Sequence, residues 1–303
     1  MNAVELENIS KSFGSVLAVA QLSLQVPEGT IYGFIGPNGS GKTTTLRVLL
    51  NIFKPDAGAV RLFGNPSLGV RDPRLGYLPE ERGLYRRMNV RELLCFFGKL
   101  KTGRLLEREV DTWLERFGLR EWGGKKLETL SKGMAQKVQF IVAVLGEPRL
   151  LVLDEPFSGL DPVNMDVLRE AVLDLRARGA TVLFSTHDMS MAERMCDFIC
   201  MIFQGRKVLD GTLRSIQDQF GADTVRLRVD GGAARLHDLP GVEHLDDFGQ
   251  VQELRLRPGA DPQQILAHLV ARIPIQSFEL TRPSLHDIFV RIAGPAAKEA
   301  THA

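Results

Sequence analysis

The sequence predicts an α/β fold with a mostly parallel sheet, followed by a smaller α+β domain. Its clearest strand candidates, residues 30–36, 150–154 and 181–185, are near-continuous apolar segments. Such segments are typical of parallel strands buried on both faces. A glycine-rich segment at 36–43 connects the first strand to a predicted helix. After Phe220, short strand candidates alternate with Asp, Gly and Pro turns, which indicates a second domain.

A helical segment interrupts the α/β pattern of the first domain, which we assign to residues 1–219. Between about residues 89 and 145 the sequence has helical periodicity. Val110, Trp113 and Leu114 fall on one face of a helix. We therefore expect an inserted helical subdomain.

The second domain, residues 220–294, mixes strand candidates with one helix candidate at 262–272. The strand candidates lie at residues 224–229, 251–257 and 275–281. An α+β domain fits this order, and the ferredoxin-like fold is one arrangement of that kind. The tail at 295–303 has little apolar surface to bury, so we expect it to be disordered.

Composition limits the cellular setting. The formal net charge is +1, so no overall field attracts nucleic acid, and we expect no nucleic-acid partner. Three cysteines, few and odd in number, favour a reducing compartment. The N-terminus lacks a signal sequence, and no apolar segment approaches the roughly 20 residues of a membrane span. We expect a cytoplasmic location, with any membrane-spanning partner supplied by another chain.

The most specific motif is the glycine-rich segment at 36–43, which matches G-x4-G-K-[ST] between a strand and a helix. Its backbone N–H groups can face phosphates, Lys42 can reach the β- and γ-phosphates, and Thr43 can bind Mg²⁺. A glycine-rich turn without a ligand is the alternative, and this context disfavours it. The predicted ATP-binding residues here are Gly36, Pro37, Asn38, Gly39, Ser40, Gly41, Lys42, Thr43 and Thr44.

Two carboxylates end the apolar strand at 150–154. We expect Asp154 beside the bound Mg²⁺ and Glu155 near the attacking water, a pair that suits metal-assisted hydrolysis. Alone, Asp-Glu-Pro at a strand end indicates a solvated turn or a helix cap. The phosphate loop upstream favours the catalytic interpretation.

A second helix end carries Ser131 and Gly133. Ser131 can cap the following helix and Gly133 allows close backbone approach, so this end can also face a phosphate. In isolation the pattern indicates only an ordinary N-cap. Its position just upstream of the carboxylate strand favours the phosphate interpretation.

Together these motifs resemble the ATP-binding subunits of ABC transporters over residues 3–218. Residues 36–43 resemble the Walker A motif, and residues 150–154 with Glu155 resemble the Walker B strand and its catalytic glutamate. Residues 130–134 resemble the signature motif. The resemblance implies a P-loop NTPase core of the ABC ATPase type with an inserted helical subdomain.

The resemblance also implies roles for three further residues. Asp161 ends a segment similar to the D-loop, His187 corresponds to the switch histidine that contacts the γ-phosphate, and Phe13 takes the place of the aromatic that stacks on adenine. A histidine after an apolar strand is more often structural, and Phe13 could equally be a core residue. Cys196 and Cys200, one helical turn apart, lack enough further ligands for a metal site with His187 and are interpreted as buried cysteines.

The sequence departs from the family pattern at two motifs. Glu80 stands where the loop that senses the membrane subunit normally carries glutamine, and its carboxylate can still hold Mg²⁺ or water. Lys132 and Met134 replace the commonest signature residues. Ser131 and Gly133 are kept, so phosphate contact is expected to survive.

The resemblance implies partners as well as a reaction. Two such subunits pair head to tail, a homodimer here, and each Mg·ATP lies between one Walker loop and the partner's signature motif. Closure of the pair drives separate membrane permease subunits, so the chain is expected on the cytoplasmic face of the membrane. Residues 76–85, 130–134 and 284–289 resemble a narrower group, the ABC-2-type exporter ATPases with an added C-terminal domain, similar to sodium-extrusion and drug-export ATPases.

Two other functions fit parts of the sequence. One is a soluble ABC-type regulator of ribosomes or DNA, although such proteins typically carry two cassettes or inserted zinc or coiled-coil arms. The other is an ATP-dependent switch with negligible turnover, if Glu80 or Lys132 compromises hydrolysis. The C-terminal domain could stabilise the dimer, regulate the ATPase or bind a ligand.

Overall fold

The computed structural model describes residues 1–81, 83–220, 224–229, 236 and 239–300, with side chains up to residue 294. The chain forms two compact units that divide between Thr212 and Leu213. No helix in these described ranges is long and apolar enough to span a membrane.

The strands of the first unit are Asn2–Phe13 (β1), Val16–Pro27 (β2), Ile31–Ile35 (β3), Ala57–Leu62 (β4), Asn65–Pro66 (β5), Leu75–Leu78 (β6), Leu150–Asp154 (β7), Thr181–Thr186 (β8), Phe198–Phe203 (β9) and Arg206–Gly211 (β10). Its helices are Lys42–Leu49 (α1), Val90–Thr102 (α2), Glu107–Arg116 (α3), Lys132–Val144 (α4), Pro162–Ala177 (α5) and Met189–Met195 (α6).

The central sheet of this unit has the strand order β10-β9-β3-β8-β7-β6. All of its pairs are parallel except β10 with β9. The prediction of a mostly parallel sheet is therefore confirmed. Because the carboxyl ends of β3, β7 and β8 are adjacent, the residues that follow these strands meet at one edge.

Both faces of the central sheet are covered, which explains its near-continuous apolar strands. Along β7, Leu151 and Leu153 pack into the core formed with the helices, whereas Leu150 and Val152 pack into the opposite core. The opposite core includes α1 and an antiparallel sheet of order β2-β1-β4-β5. Alternate residues of one strand thus belong to different cores.

Helices α2, α3 and α4 occupy the segment predicted as a helical subdomain. Val110, Trp113 and Leu114 of α3 are buried, as the helical periodicity predicts. The Trp113 ring lies edge-on to Phe140 of α4, with a centroid distance of 6.2 Å. An apolar face of α3 therefore holds it against α4.

The second unit contains helices Leu213–Phe220 (α7), Pro262–Val270 (α8) and Leu285–Ala300 (α9), and strands Thr224–Val229 (β11), Val242–Asp247 (β12), Gln252–Leu256 (β13) and Ile275–Thr281 (β14). The strand order is β12-β13-β11-β14, and every pair is antiparallel. This order agrees with a ferredoxin-like sheet.

The ends of the second unit differ from the boundaries expected from sequence. Helix α7 belongs to this unit, so the division comes one helix before residue 220; Gln217 Nε2 donates to Pro283 O at 3.0 Å. At the other end, the non-helical backbone of Gly294 (φ 54°, ψ −148°) interrupts α9, and a separate helical segment follows at 295–300, where we expected a disordered tail. Alanine, lysine and glutamate, which dominate that segment, are strong helix formers. Residues 301–303 lie outside the described residues.

Candidate functional site

A pocket of about 510 Å³ lies over the N-terminus of α1. Its walls come from the glycine-rich loop, the end of β7, the residue Glu80 after β6, the start of β2 and the turn between β9 and β10. The lining residues are Val16, Leu17, Ala18, Asn38, Gly39, Gly41, Lys42, Thr43, Thr44, Glu80, Glu155, Gln204 and Gly205.

Two glycines of the loop are required by close backbone approach. A Cβ atom on Gly36 would lie 2.2 Å from Ile202 O, and one on Gly41 would lie 2.4 Å from Ala18 O. Gly41 also has a φ of 105°, which disfavours other residues, and it forms the N-cap of α1. The loop therefore wraps tightly at the positive end of a helix, a geometry that suits phosphate binding.

Lys42 is the cation at the floor of this loop. Its Nζ donates to Gly36 O at 2.8 Å and Pro37 O at 3.1 Å, and lies 3.6 Å from Glu155 Oε1. Burial lowers the pKa of Lys42, while the nearby carboxylates of Glu155 and Asp154 act in the opposite direction. An anionic phosphate beside Nζ would further favour the charged form.

Asp154 is fully buried and only half of its carboxylate is paired. Oδ1 accepts from Ser185 Oγ at 2.5 Å and Thr43 Oγ1 at 3.2 Å. Oδ2 has no hydrogen-bond partner among the described residues, and a buried carboxylate oxygen without a partner is costly. A hydroxyl and a carboxylate oxygen at this point fit Mg²⁺, which prefers oxygen ligands.

Glu155 is held at its backbone and at one side-chain oxygen. Its N–H donates to Ser185 Oγ at 3.0 Å, and its Oε2 lies 3.0 Å from His187 Nδ1. Oε1 faces Lys42 and has no hydrogen-bond partner within the described part of the chain. This oxygen can therefore accept a proton from a water molecule in the pocket.

Nine predicted site residues are not among the lining residues. Gly36, Pro37 and Ser40 belong to the phosphate loop itself, and Asp154 and His187 contact the lining residues Thr43 and Glu155. The other four, Ser131, Gly133, Asp161 and Phe13, belong to other segments. Ser131 Oγ accepts from Met134 N at 3.3 Å as the N-cap of α4, with Gly133 in its first turn. Asp161 caps α5; hydrogen bonds from Asn164 N–H and its side chain lower the pKa of this carboxyl. Phe13 is half exposed, and its ring lies edge-on to Phe53 with a centroid distance of 5.3 Å. It pairs with the lining residue Val16 across the β1–β2 hairpin.

The structure adds site residues that the sequence argument missed. Gly205 N donates to Ser40 O at 2.9 Å, and Gly205 O accepts from Ala20 N. Gln204 and Gly205 both have positive φ, about 48° and 74°, as two-residue hairpin turns require. A Gln-Gly pair between two strand candidates is thus the sequence signal that predicts this wall. Ser185, a hydroxyl at the end of an apolar strand, is the other missed residue.

Cys196 and Cys200 are not arranged as metal ligands with His187 among the described residues. A Cβ on Gly33 would lie 2.5 Å from Cys196 Sγ, so Cys196 fills a backbone gap beside β3, and Cys200 is fully buried in β9. Burial raises the pKa of both thiols. Within the described ranges, no group of three His, Cys, Asp or Glu residues is arranged to hold a metal.

A phosphate loop at a helix N-terminus, with a buried aspartate at the end of another parallel strand of the same sheet, defines the class of P-loop nucleotide-hydrolysing proteins. The family described as "ABC transporter" matches residues 19–158, and the family described as "ATP-binding protein DrrA1-3-like, C-terminal domain" matches residues 211–293.

Whole-chain relatives narrow the class further. An uncharacterized ABC transporter ATP-binding protein of Bacillus subtilis, YhaQ, is 41% identical over 95% of this chain and 98% of its own. The Nod factor export ATP-binding protein I of Sinorhizobium fredii is 33% identical over 98% of this chain and 88% of its own. A solved ATP-binding subunit of an ABC transporter is 32% identical, with a TM-score of 0.67 over 72% of this chain and 93% of its own.

The chain therefore belongs to the family of ABC transporter ATP-binding proteins, which bind ATP and hydrolyse it to power transport.

Proposed function

We propose that this chain is the ATP-hydrolysing subunit of an ABC exporter and that Glu155 is its catalytic base. The observation that carries the proposal is that Glu155 lines the phosphate-loop pocket, with its Oε1 3.6 Å from Lys42 Nζ, while His187 holds the other oxygen. A carboxylate held in this way can orient a water molecule for in-line attack and accept its proton.

The other residues bind and position the nucleotide. Lys42 and the N–H groups of residues 36–44 contact the phosphates, and His187 keeps Glu155 in place and approaches the γ-phosphate. When bound, Mg²⁺ neutralises charge on the phosphate oxygens. Thr43 and Asp154 would hold it, with Glu80 at the pocket wall. Phe13, at the end of β1, stacks on the adenine.

The partner in this proposal is a second copy of the chain. Ser131 and Asp161 are exposed helix caps that do not line the pocket of their own chain. An exposed helix N-terminus is suited to a phosphate presented by another molecule. Head-to-tail pairing with two-fold symmetry would bring Ser131, Gly133 and Asp161 of each copy to the other copy's ATP.

We propose that ATP hydrolysis is coupled to export through separate membrane permease subunits. The chain would act on these subunits from the cytoplasmic face of the membrane. The support for this coupling is the similarity of this chain, along 98% of its length, to the Nod factor export ATP-binding protein I. ATP supplies differential binding energy that favours the closed pair, and hydrolysis releases that energy.

The test compares wild type with Glu155→Gln in the presence of Mg·ATP. We expect wild type to hydrolyse ATP, and the variant to lose at least about a hundredfold in kcat and to accumulate as an ATP-bound dimer, because glutamine cannot accept the proton. Normal turnover in the variant would reject Glu155 as the base. Negligible turnover in wild type, including with its permease, would favour the ATP-dependent switch.

A further inference from the structure

The amide of Gln139, on helix α4, contacts the segment that carries the pocket residue Glu80. This side chain is buried, with 3% exposure. Its Nε2 donates to Pro79 O at 3.0 Å and to Glu81 O at 3.2 Å. One amide thus holds the backbone on both sides of Glu80, whose carboxylate lines the ATP pocket.

A second glutamine of α4, one helical turn earlier, also donates its amide to a backbone carbonyl beside the pocket. Gln136 is also buried, and its Nε2 donates to Pro156 O at 3.3 Å. Pro156 directly follows Glu155. Residues three apart lie on the same helix face, so one face of α4 contacts both segments that carry pocket carboxylates.

We propose that Gln139 is a positioning residue that holds Glu80 at the ATP pocket, an inference that rests on the proposed function of this site. The Gln139 amide donates both N–H groups to the carbonyls of the two residues that flank Glu80. These bonds fix the backbone of Glu80, while its side chain lines the pocket. Backbone carbonyls that lose a buried partner find a new arrangement or remain unpaired at a cost, so removal of this amide would let Glu80 move.

Gln139 and Ser131 belong to the same helix, α4. Ser131 caps the same helix, about 12 Å away at 1.5 Å per residue. The helix end proposed to face the partner's ATP is therefore rigidly tied to the Glu80 of its own pocket. Binding of ATP at one site can thereby set the position of a carboxylate in the other.

Hydrogen exchange of the full chain tests the structural part without relying on activity. Gln139→Leu keeps a similar volume and removes both donors, whereas Phe140→Leu perturbs the core of α4 away from Glu80. We expect at least about threefold faster exchange in the peptide that contains Glu80 for Gln139→Leu than for Phe140→Leu. Equal exchange in the two variants would overturn the proposal.

ATP hydrolysis by Gln139→Leu, Glu80→Ala and the double variant tests the link to chemistry. We expect Gln139→Leu to lower kcat by about tenfold while KM for ATP changes less than about twofold, because a small misplacement affects the reacting geometry more than binding. In the Glu80→Ala background the same substitution should have almost no effect. Independent, multiplicative losses would overturn the proposal. If wild type fails to hydrolyse ATP, the proposed function fails, and the exchange comparison still decides whether Gln139 holds the segment.

Discussion

Ser185 and Asp154 are joined by a 2.5 Å hydrogen bond from the serine hydroxyl to Asp154 Oδ1. The two residues are opposite each other in the parallel pair of β7 and β8. The same hydroxyl accepts the N–H of Glu155 at 3.0 Å. A single hydroxyl on the neighbouring strand therefore positions both carboxylates of the candidate site.

Replacement of Ser185 by alanine should affect both carboxylates. Asp154 Oδ1 would lose its shortest hydrogen bond and the buried N–H of Glu155 would lose its partner, so we expect a loss of about 1–3 kcal/mol in the free energy of unfolding. We also expect kcat to fall while ATP still binds. Denaturant unfolding and steady-state kinetics measure these quantities. Ser277→Ala, at an exposed serine of β14, is the control and should change stability by less than about 0.5 kcal/mol.

Two glycines of the phosphate loop should respond differently to alanine. A Cβ on Gly41 meets Ala18 O at 2.4 Å, whereas a Cβ on Gly39 meets nothing within 4 Å. Both have positive φ, which alone costs about 1–2 kcal/mol. We expect Gly41→Ala to weaken ATP binding by more than about a hundredfold and Gly39→Ala by about tenfold or less, measured by titration with a fluorescent ATP analogue. Equal affinities would contradict the assigned packing of the loop.

The sequence predicts the parts of this protein that depend on local patterns. Buried parallel strands, the glycine-rich loop and the cap Ser131 all follow from residue types at fixed spacing. The contacts of Ser185 and Gln139 could not be predicted, because they depend on which strand and helix lie beside the site. Strand order and helix packing are set by long-range contacts that no local spacing records.

The domain boundary also depends on long-range contacts and could not be predicted from local sequence. Helix α7 has an amphipathic sequence that fits either unit, and its contacts with Arg282 and Pro283, far along the chain, assign it to the second one. The helical backbone at 295–300 fits local propensity. We expected disorder there because little apolar surface is available to bury.

Lys101 should make stability depend on pH. Burial lowers its pKa to about 8, with Glu109 acting in the opposite direction. Below pH 8 the ammonium is charged in both states, so its burial cost is fully present. Between about pH 8 and 10.5 the folded state loses its proton first, so the unfolded state binds more protons and the cost fades as pH rises. Wild-type stability should therefore gain with pH over this range.

Lys101→Met tests this dependence. The variant removes the burial cost and also the hydrogen bond to Ala143 O at 3.0 Å, so we expect it to be more stable than wild type by about 1–2 kcal/mol at pH 7. The advantage should vanish near pH 10.5. Denaturant unfolding across this pH range measures it, with Lys99→Met on the exposed face of α2 as the control. A difference that does not change with pH would contradict the argument.

Mixed variants test whether each ATP site is built from two copies of the chain. Lys42→Met disables the phosphate loop, and Ser131→Arg blocks the helix end proposed to face the partner's ATP; each variant alone should be almost inactive. In a heterodimer, the loop of the Ser131→Arg copy meets the intact Ser131 of the Lys42→Met copy, so one site is complete. Equal mixing should make half of the dimers mixed, each with one of two sites, and restore about a quarter of wild-type hydrolysis if the sites act independently. Two differently tagged Lys42→Met preparations, mixed in the same way, should restore nothing. If subunit exchange is verified through the tags and no activity returns, Ser131 does not act on the partner's ATP.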